Sequence, residues 1–259
     1  MDTNNPDAME LCQGNKDNMD GRRMERSRSC ILQVGVYAGR LCELANTVMI
    51  KKGNQPQDTV STSSQQRLVT VMSELWISLW QTSQALDISM IAAIRKKLEL
   101  NAKKYPVEHC KGKAGKYTQY SHVTGITKTN QVLGSCDDQQ QDDAPKQRYS
   151  TSLHDTALQI SSLVSDIDDF AAARLWNQYH TPRNLVMALL GEVGELSEIL
   201  QFCGDHDGDV EEEKYMEALS QEIADVSIYM LRLASVCDVV HLLVETVLLQ
   251  NSSINNDDP

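Results

Sequence analysis

A chain of 259 residues with 41% hydrophobic and 23% charged content has room for one large domain or two small ones of ordinary globular make-up. Mean hydropathy is -0.38, and no apolar run approaches the ~20 residues of a membrane helix, which argues against a membrane partner. The net charge of -12 hides a division: residues 1–150 carry 20 Lys+Arg against 16 Asp+Glu, and residues 151–259 carry 4 against 20. So acidic a second part repels phosphate backbones and excludes nucleic acid as a partner. The start, MDTNNPDAMELCQ, lacks the basic-then-apolar pattern of a secretory leader. The seven cysteines are scattered, odd in number and free of any CxxC pair, which excludes a zinc ribbon and argues against a disulfide framework. A reducing, cytoplasmic compartment is the expectation.

In chain order, residues 1–30 are polar and read as a disordered N-terminus. Residues 31–50 have helical apolar spacing, and a Gly/Pro/Ser/Thr-punctuated stretch follows. Residues 65–86 and 88–105 read as two further helices, the second ended by Tyr105-Pro106, because the residue before proline is pushed out of the α region. Residues 121–149 form a Gln/Asp-rich linker between a first unit, 31–120, and a second, 150–251, with a polar tail at 252–259. The second unit reads as helices over 153–178, 183–202, 212–237 and 239–249, with Pro182 suited to a helix start and the acidic loop CGDHDGDVEEE between the middle two. Nothing alternates with period two, so the fold is expected to be all-α.

The chemistry concentrates in GEVGELSE and QEIADVSIY. On a helix, positions i and i+3 share a face, so Glu192 and Glu195 point together, as do Glu222 and Asp225. Their neighbours Leu189, Val193, Leu196, Ile223 and Val226 are apolar. The plain interpretation is a solvated acidic face. The alternative is that the short acidic loop folds the two helices antiparallel and gathers four carboxylates. Like charges that close stay ionised only with cations among them, and an all-oxygen set suits Mg²⁺ or Mn²⁺ rather than zinc. Gly191 and Gly194, costly inside a helix, suggest close approach of a backbone or a ligand. Glu198 continues the series further round the helix.

FAAARLWNQYHTPRNLVMALLGEVGELSEILQ followed by LSQEIADVSIYMLRLASVCDV resembles the dCTP pyrophosphatase branch of the MazG-like all-α nucleoside triphosphate pyrophosphatases over residues about 165–240. The family signature, ExxE then ExxD, stands here as Glu192-x-x-Glu195 and Glu222-x-x-Asp225. The resemblance implies a four-helix unit working as a homo-oligomer. It implies Mg²⁺ held by the four carboxylates and hydrolysis of a (deoxy)nucleoside triphosphate, dCTP or a modified cytidine nucleotide, to monophosphate and pyrophosphate. Glu192 or Glu195 would take the proton of the attacking water. Trp176, Gln178, His180, Phe202 and Tyr229 match positions that line the base and sugar site in the family. Phe202 departs from the Trp often found in dCTP-selective relatives, which bears on base selectivity rather than on the chemistry.

The first unit resembles a degenerate copy, giving tandem four-helix units. AGRLCE at 38–43 aligns with VGELSE, and VMSELWIS at 71–78 with EIADVSIY, so the metal positions become Tyr37, Arg40, Val71 and Glu74. The second unit has the reverse defect: the family's KxExN run reads LLQNS at 248–252, while the intact version, Lys97 to Asn101, lies in the first unit. The resemblance implies that Lys97 and Asn101 approach the triphosphate, within the chain or across a dimer. The competing function is a catalytically weak nucleotide-binding or regulatory relative.

Overall fold

The computed structural model of the protein describes the backbone of residues 6–45, 62–113, 151–202 and 209–254, and the side chains of 25–45, 63–113, 151–201 and 214–252. It is all-α: no strand occurs among the described residues. The helices are α1 (Pro6–Leu44), α2 (Thr62–Ala85), α3 (Met90–Lys104), the single turn α4 (Val107–Cys110), α5 (Leu153–Ala173), α6 (Pro182–Phe202), α7 (Asp209–Val236) and α8 (Val240–Ile254). A 3₁₀ turn, Trp176–Gln178, sits between α5 and α6. No helix is long and apolar enough to cross a membrane. All of the expected linker, 121–149, and residues 203–208 of the acidic loop lie outside the described residues.

α1 pairs with α2 as α6 pairs with α7. The last helix of each half crosses over: α3 packs on α7, and α8 on α2. α5 closes the bundle against α8, α7 and α3. Leu41, Met72, Leu75 and Leu79 of the first half therefore join Leu163, Leu189, Ile223 and Leu243 of the second in one buried cluster. The periodicity that makes each helix amphipathic points every apolar stripe at this shared core. Burial of apolar surface stabilises by about 25 cal/mol per Å², and the two halves share that stabilisation through one core.

The same turn ends α2 and α7. Asp87 and Asp238 take left-handed φ values of 59° and 57°. The Ile88 N–H donates to Ser83 O at 2.8 Å and the Val239 N–H to Ala234 O at 3.0 Å, closing both helices with the same αL cap. Aspartate tolerates this conformation better than bulky residues.

The helix expected over 153–178 is interrupted. α5 starts with Ser152 accepting the Asp155 N–H at 3.0 Å, an N-cap worth about 1 kcal/mol. It ends at Ala173, where Leu175 adopts φ 56°, and the chain re-enters as the 3₁₀ turn. The apolar spacing of the sequence continues past Ala173 because Trp176 also faces inward, but onto a cavity rather than the helix core.

Candidate active site

The site is built where α6, α7 and α3 meet beneath the 3₁₀ turn. α6 brings Glu192 and Glu195, and α7 brings Glu222. Their oxygens lie within 4.8 Å of one another. Glu192 and Glu222 are half-buried and Glu195 is exposed. One Glu222 oxygen, Oε2, is buried with no hydrogen-bond partner, which is costly unless a cation or donor meets it. Burial pushes the Glu192 carboxyl up to about 7, helped by the charges of Asp225, Glu195 and Glu222. Glu222 is raised by the same desolvation, offset first by Lys97. Three clustered carboxylates, one of them with an unpartnered buried oxygen, fit a hard divalent cation.

Asp225, the fourth carboxylate expected from the sequence, is not part of that group and is engaged from another element. Lys97 of α3 places Nζ 2.6 Å from Asp225 Oδ2, with the two side chains only 11% and 15% exposed. The same Nζ lies 3.3 Å from Gln221 Oε1. Burial raises the Asp225 carboxyl, while Lys97, Lys104 and a hydrogen bond from Asn101 pull it back down. Because α3 crosses onto α7, the KxExN run of the first half thus faces the carboxylates of the second.

A cavity of about 410 Å³ is lined by Glu192, Asp225, Lys97 and Asn101 and by an aromatic wall. The wall is Trp176, with the Tyr105 ring edge-on at 5.3 Å and the Phe170 ring at 5.7 Å. Tyr229 lines the middle of the cavity, and burial followed by the charges of Glu192 and Asp225 raises its phenol well above the ordinary range. His180 lines the rim beside Trp176, 6.1 Å ring to ring. The wall is strapped by residues 105–113: Trp176 Nε1 donates to Cys110 O at 3.3 Å, Tyr179 Oη to Gly112 O at 2.7 Å, and the Gly112 N–H to Arg174 O at 2.8 Å. Gly112 holds φ 71°, a conformation that favours glycine.

Of the residues singled out in the sequence, the cavity gathers Glu192, Asp225, Trp176, His180, Tyr229, Lys97 and Asn101. Gln178 does not line it: the side chain is exposed and donates to Leu175 O at 2.9 Å. The Phe202 side chain lies outside the described residues. Gly191 and Gly194 sit on the open side of α6, where an added Cβ meets nothing within 4 Å, so no segment among the described residues makes the close approach expected from them. Tyr105, Phe170 and Arg232 were missed. The Tyr105-Pro106 break marked only a helix end, and Phe170 and Arg232 differ in no periodicity from ordinary helix residues.

The aligned positions of the first half hold no acidic cluster. Tyr37 Oη donates to Glu74 Oε2 at 3.3 Å, Gln250 Nε2 to Glu74 Oε1 at 3.0 Å, and the Arg40 guanidinium lies 5.3 Å from the centre of the Tyr37 ring. The single remaining carboxylate is satisfied by neutral donors.

Compared with curated proteins, the chain is 41% identical to dCTP pyrophosphatase 1 of Rattus norvegicus over 102 residues, 39% of this chain and 58% of the relative. It is 41% identical to the Homo sapiens protein of the same name over 101 residues, 38% of this chain and 58% of the relative. It is 45% identical to that of Bos taurus over 73 residues, 27% of this chain and 43% of the relative. These relatives are dCTP pyrophosphatases. The likeness is consistent with the dCTP pyrophosphatase branch of the MazG-like proteins. The chain spans a little over half the length of the first relatives it matches. No protein-family model matches the chain, and no solved structure matches it.

Proposed function

We propose that the chain is a divalent-metal-dependent nucleoside triphosphate pyrophosphohydrolase. It hydrolyses dCTP or a modified cytidine nucleotide to the monophosphate and pyrophosphate and so clears it from the nucleotide pool. The observation that carries this reading is one cavity lined by Glu192 of the carboxylate cluster, by Asp225, Lys97 and Asn101, and by the aromatic wall at Trp176. A nucleoside triphosphate calls for cationic groups at its phosphates and a π face at its base, and the cavity lining contains both.

Glu192, Glu195, Glu222 and Asp225 would hold Mg²⁺ or Mn²⁺, which when bound neutralises phosphate oxygens and lowers the pKa of an attacking water. The chain's own groups do the rest. Trp176 stacks on the base and Tyr229 packs against the sugar. Lys97 brings a point charge, and Asn101 a hydrogen bond, to the β- or γ-phosphate. Glu192 or Glu195 accepts the proton released by water as it attacks the α-phosphorus. On this reading the first half is not a passive remnant: α3 supplies the cation absent from LLQNS in α8.

The test is pyrophosphate release by the full chain with Mg²⁺ across a panel of nucleoside triphosphates. Cytidine nucleotides are expected to lead. No pyrophosphate from any nucleotide removes the assignment.

A further inference from the structure

Arg232 of α7 is 6% exposed, lines the cavity and engages four side chains through its three guanidinium nitrogens, the longest contact being Nη1 to Ser235 Oγ at 3.5 Å. Nη1 pairs with Asp168 of α5. Nη2 donates to Asn177 Oδ1 at 2.6 Å. Nε donates to His180 Nδ1 at 3.0 Å. Asp168 is further fixed by Ser235 Oγ, which donates to Oδ2 at 2.6 Å. Arginine has donors and no acceptor, and it stays charged at any working pH. The imidazole nitrogen it meets must therefore be the unprotonated one. In a neutral ring that leaves the proton on the other nitrogen.

We propose that Arg232 is a positioning residue that locks His180 as the neutral Nε2–H tautomer, so that the cavity rim presents one fixed N–H donor to an acceptor on the base, the N3/O2 edge of cytosine. Nδ1 is occupied by Arg232, and among the described residues Nε2 has no hydrogen-bond partner. Trp176 stands beside the ring, where a stacked base would lie. The charged groups facing His180 are Arg232 of α7 and Asp168 of α5, and Asp168 is itself spent on Arg232 and Ser235. Burial, followed by the Arg232 charge, pushes the imidazole down to about 4, so protonation does not undo the lock near neutrality. A base that presents N–H at the same place meets donor against donor, which gives the site a means of refusing it.

The tautomer stands or falls independently of the nucleotide reading, whereas the choice of base edge rests on it. Histidine-¹⁵N-labelled full chain is examined by long-range ¹H–¹⁵N correlation at pH 7.5 without nucleotide, with His180→Gln assigning the signal. A single Nε2–H pattern is expected. An Nδ1–H pattern, a tautomer mixture or an imidazolium overturns the lock in the wild-type protein, whatever any variant does. Arg232→Lys keeps the charge but loses the fork; it is expected to give mixed tautomers and to raise the KM for dCTP about tenfold while kcat stays within about twofold. An unchanged tautomer pattern in Arg232→Lys overturns the positioning role. An Nε2–H pattern in a chain that turns over no nucleotide overturns the base-edge assignment and the proposed function together, leaving the lock intact.

Discussion

Replacing Lys97 by Met keeps the aliphatic stem and removes the charge that holds Asp225. The pair is 2.6 Å apart and largely sheltered from water. At an effective dielectric constant of about 20 the gross attraction is about 6 kcal/mol. Much of this is spent on desolvation, and breaking a buried pair from one side costs about 3–5 kcal/mol because the other charge is stranded. A chain of this size loses about 2–4 °C of Tm per kcal/mol, so metal-free Lys97→Met is expected to melt about 6–20 °C lower. The effect on metal has the opposite sign. A cation must displace the ammonium from Asp225, and a charge-assisted hydrogen bond is worth about 1.5–3 kcal/mol. Mn²⁺ affinity without nucleotide is therefore expected to rise about tenfold to a hundredfold. Burial already raises Asp225, and the loss of Lys97 raises it further. Protons would mask the gain near neutrality, so calorimetric titration is done at pH 8.5. Hydrolysis of dCTP is expected to fall despite the tighter metal, since the phosphates lose their lysine. Unchanged metal-free stability, or weaker Mn²⁺ binding in the variant, refutes the reasoning that Lys97 stands in a cation's place.

Glu195→Gln or Asp225→Asn is expected to abolish Mg²⁺-dependent hydrolysis with the helical circular dichroism retained; near wild-type turnover in either contradicts the four-carboxylate site. Trp176→Ala removes the stacking face, worth about 1–3 kcal/mol per base, and should raise the KM for dCTP about fivefold to a hundredfold, whereas an unchanged KM takes Trp176 out of the pocket. Glu192 is raised to about 7, so the folded protein binds a proton there that the unfolded chain releases near 4.5. This group's contribution to metal-free stability is fully present below 4.5 and is lost as pH rises through 7. Metal must displace that proton, so Mn²⁺ affinity should climb between pH 6 and 8, and a flat profile counts against Glu192 as a ligand. Gly191→Ala meets no neighbour within 4 Å and should stabilise by about 0.5–1 kcal/mol, seen as a higher Tm; a lower one means that this face of α6 is covered in solution.

The sequence by itself determined most of the helices and the acidic pairs, because both are local; the exceptions are α1, which begins at Pro6 within the stretch expected to be disordered, and α5, which stops at Ala173. Apolar residues three and four apart make an amphipathic helix wherever the rest of the chain lies, and Glu192 with Glu195, or Glu222 with Asp225, share a face by helix pitch alone. Tyr105-Pro106 ended α3 for an equally local reason, and α3 stops at Lys104. What only the tertiary structure decided depends on which helix meets which. Periodicity states that α3 and α8 each have a face to bury, not that they exchange partners so that Lys97 comes 2.6 Å from Asp225. Nor does it separate Trp176, on a cavity wall, from Gln178 two positions later, facing solvent, since a left-handed Leu175 breaks the helix between α5 and the turn. The protonation of His180 lies furthest from the sequence. It is set by Arg232, more than fifty residues away, and by the Asp168 carboxylate that holds that arginine in place. A tautomer follows from which donor faces which nitrogen, and only the packing of α5 and α7 against the connection that carries His180 brings those atoms together.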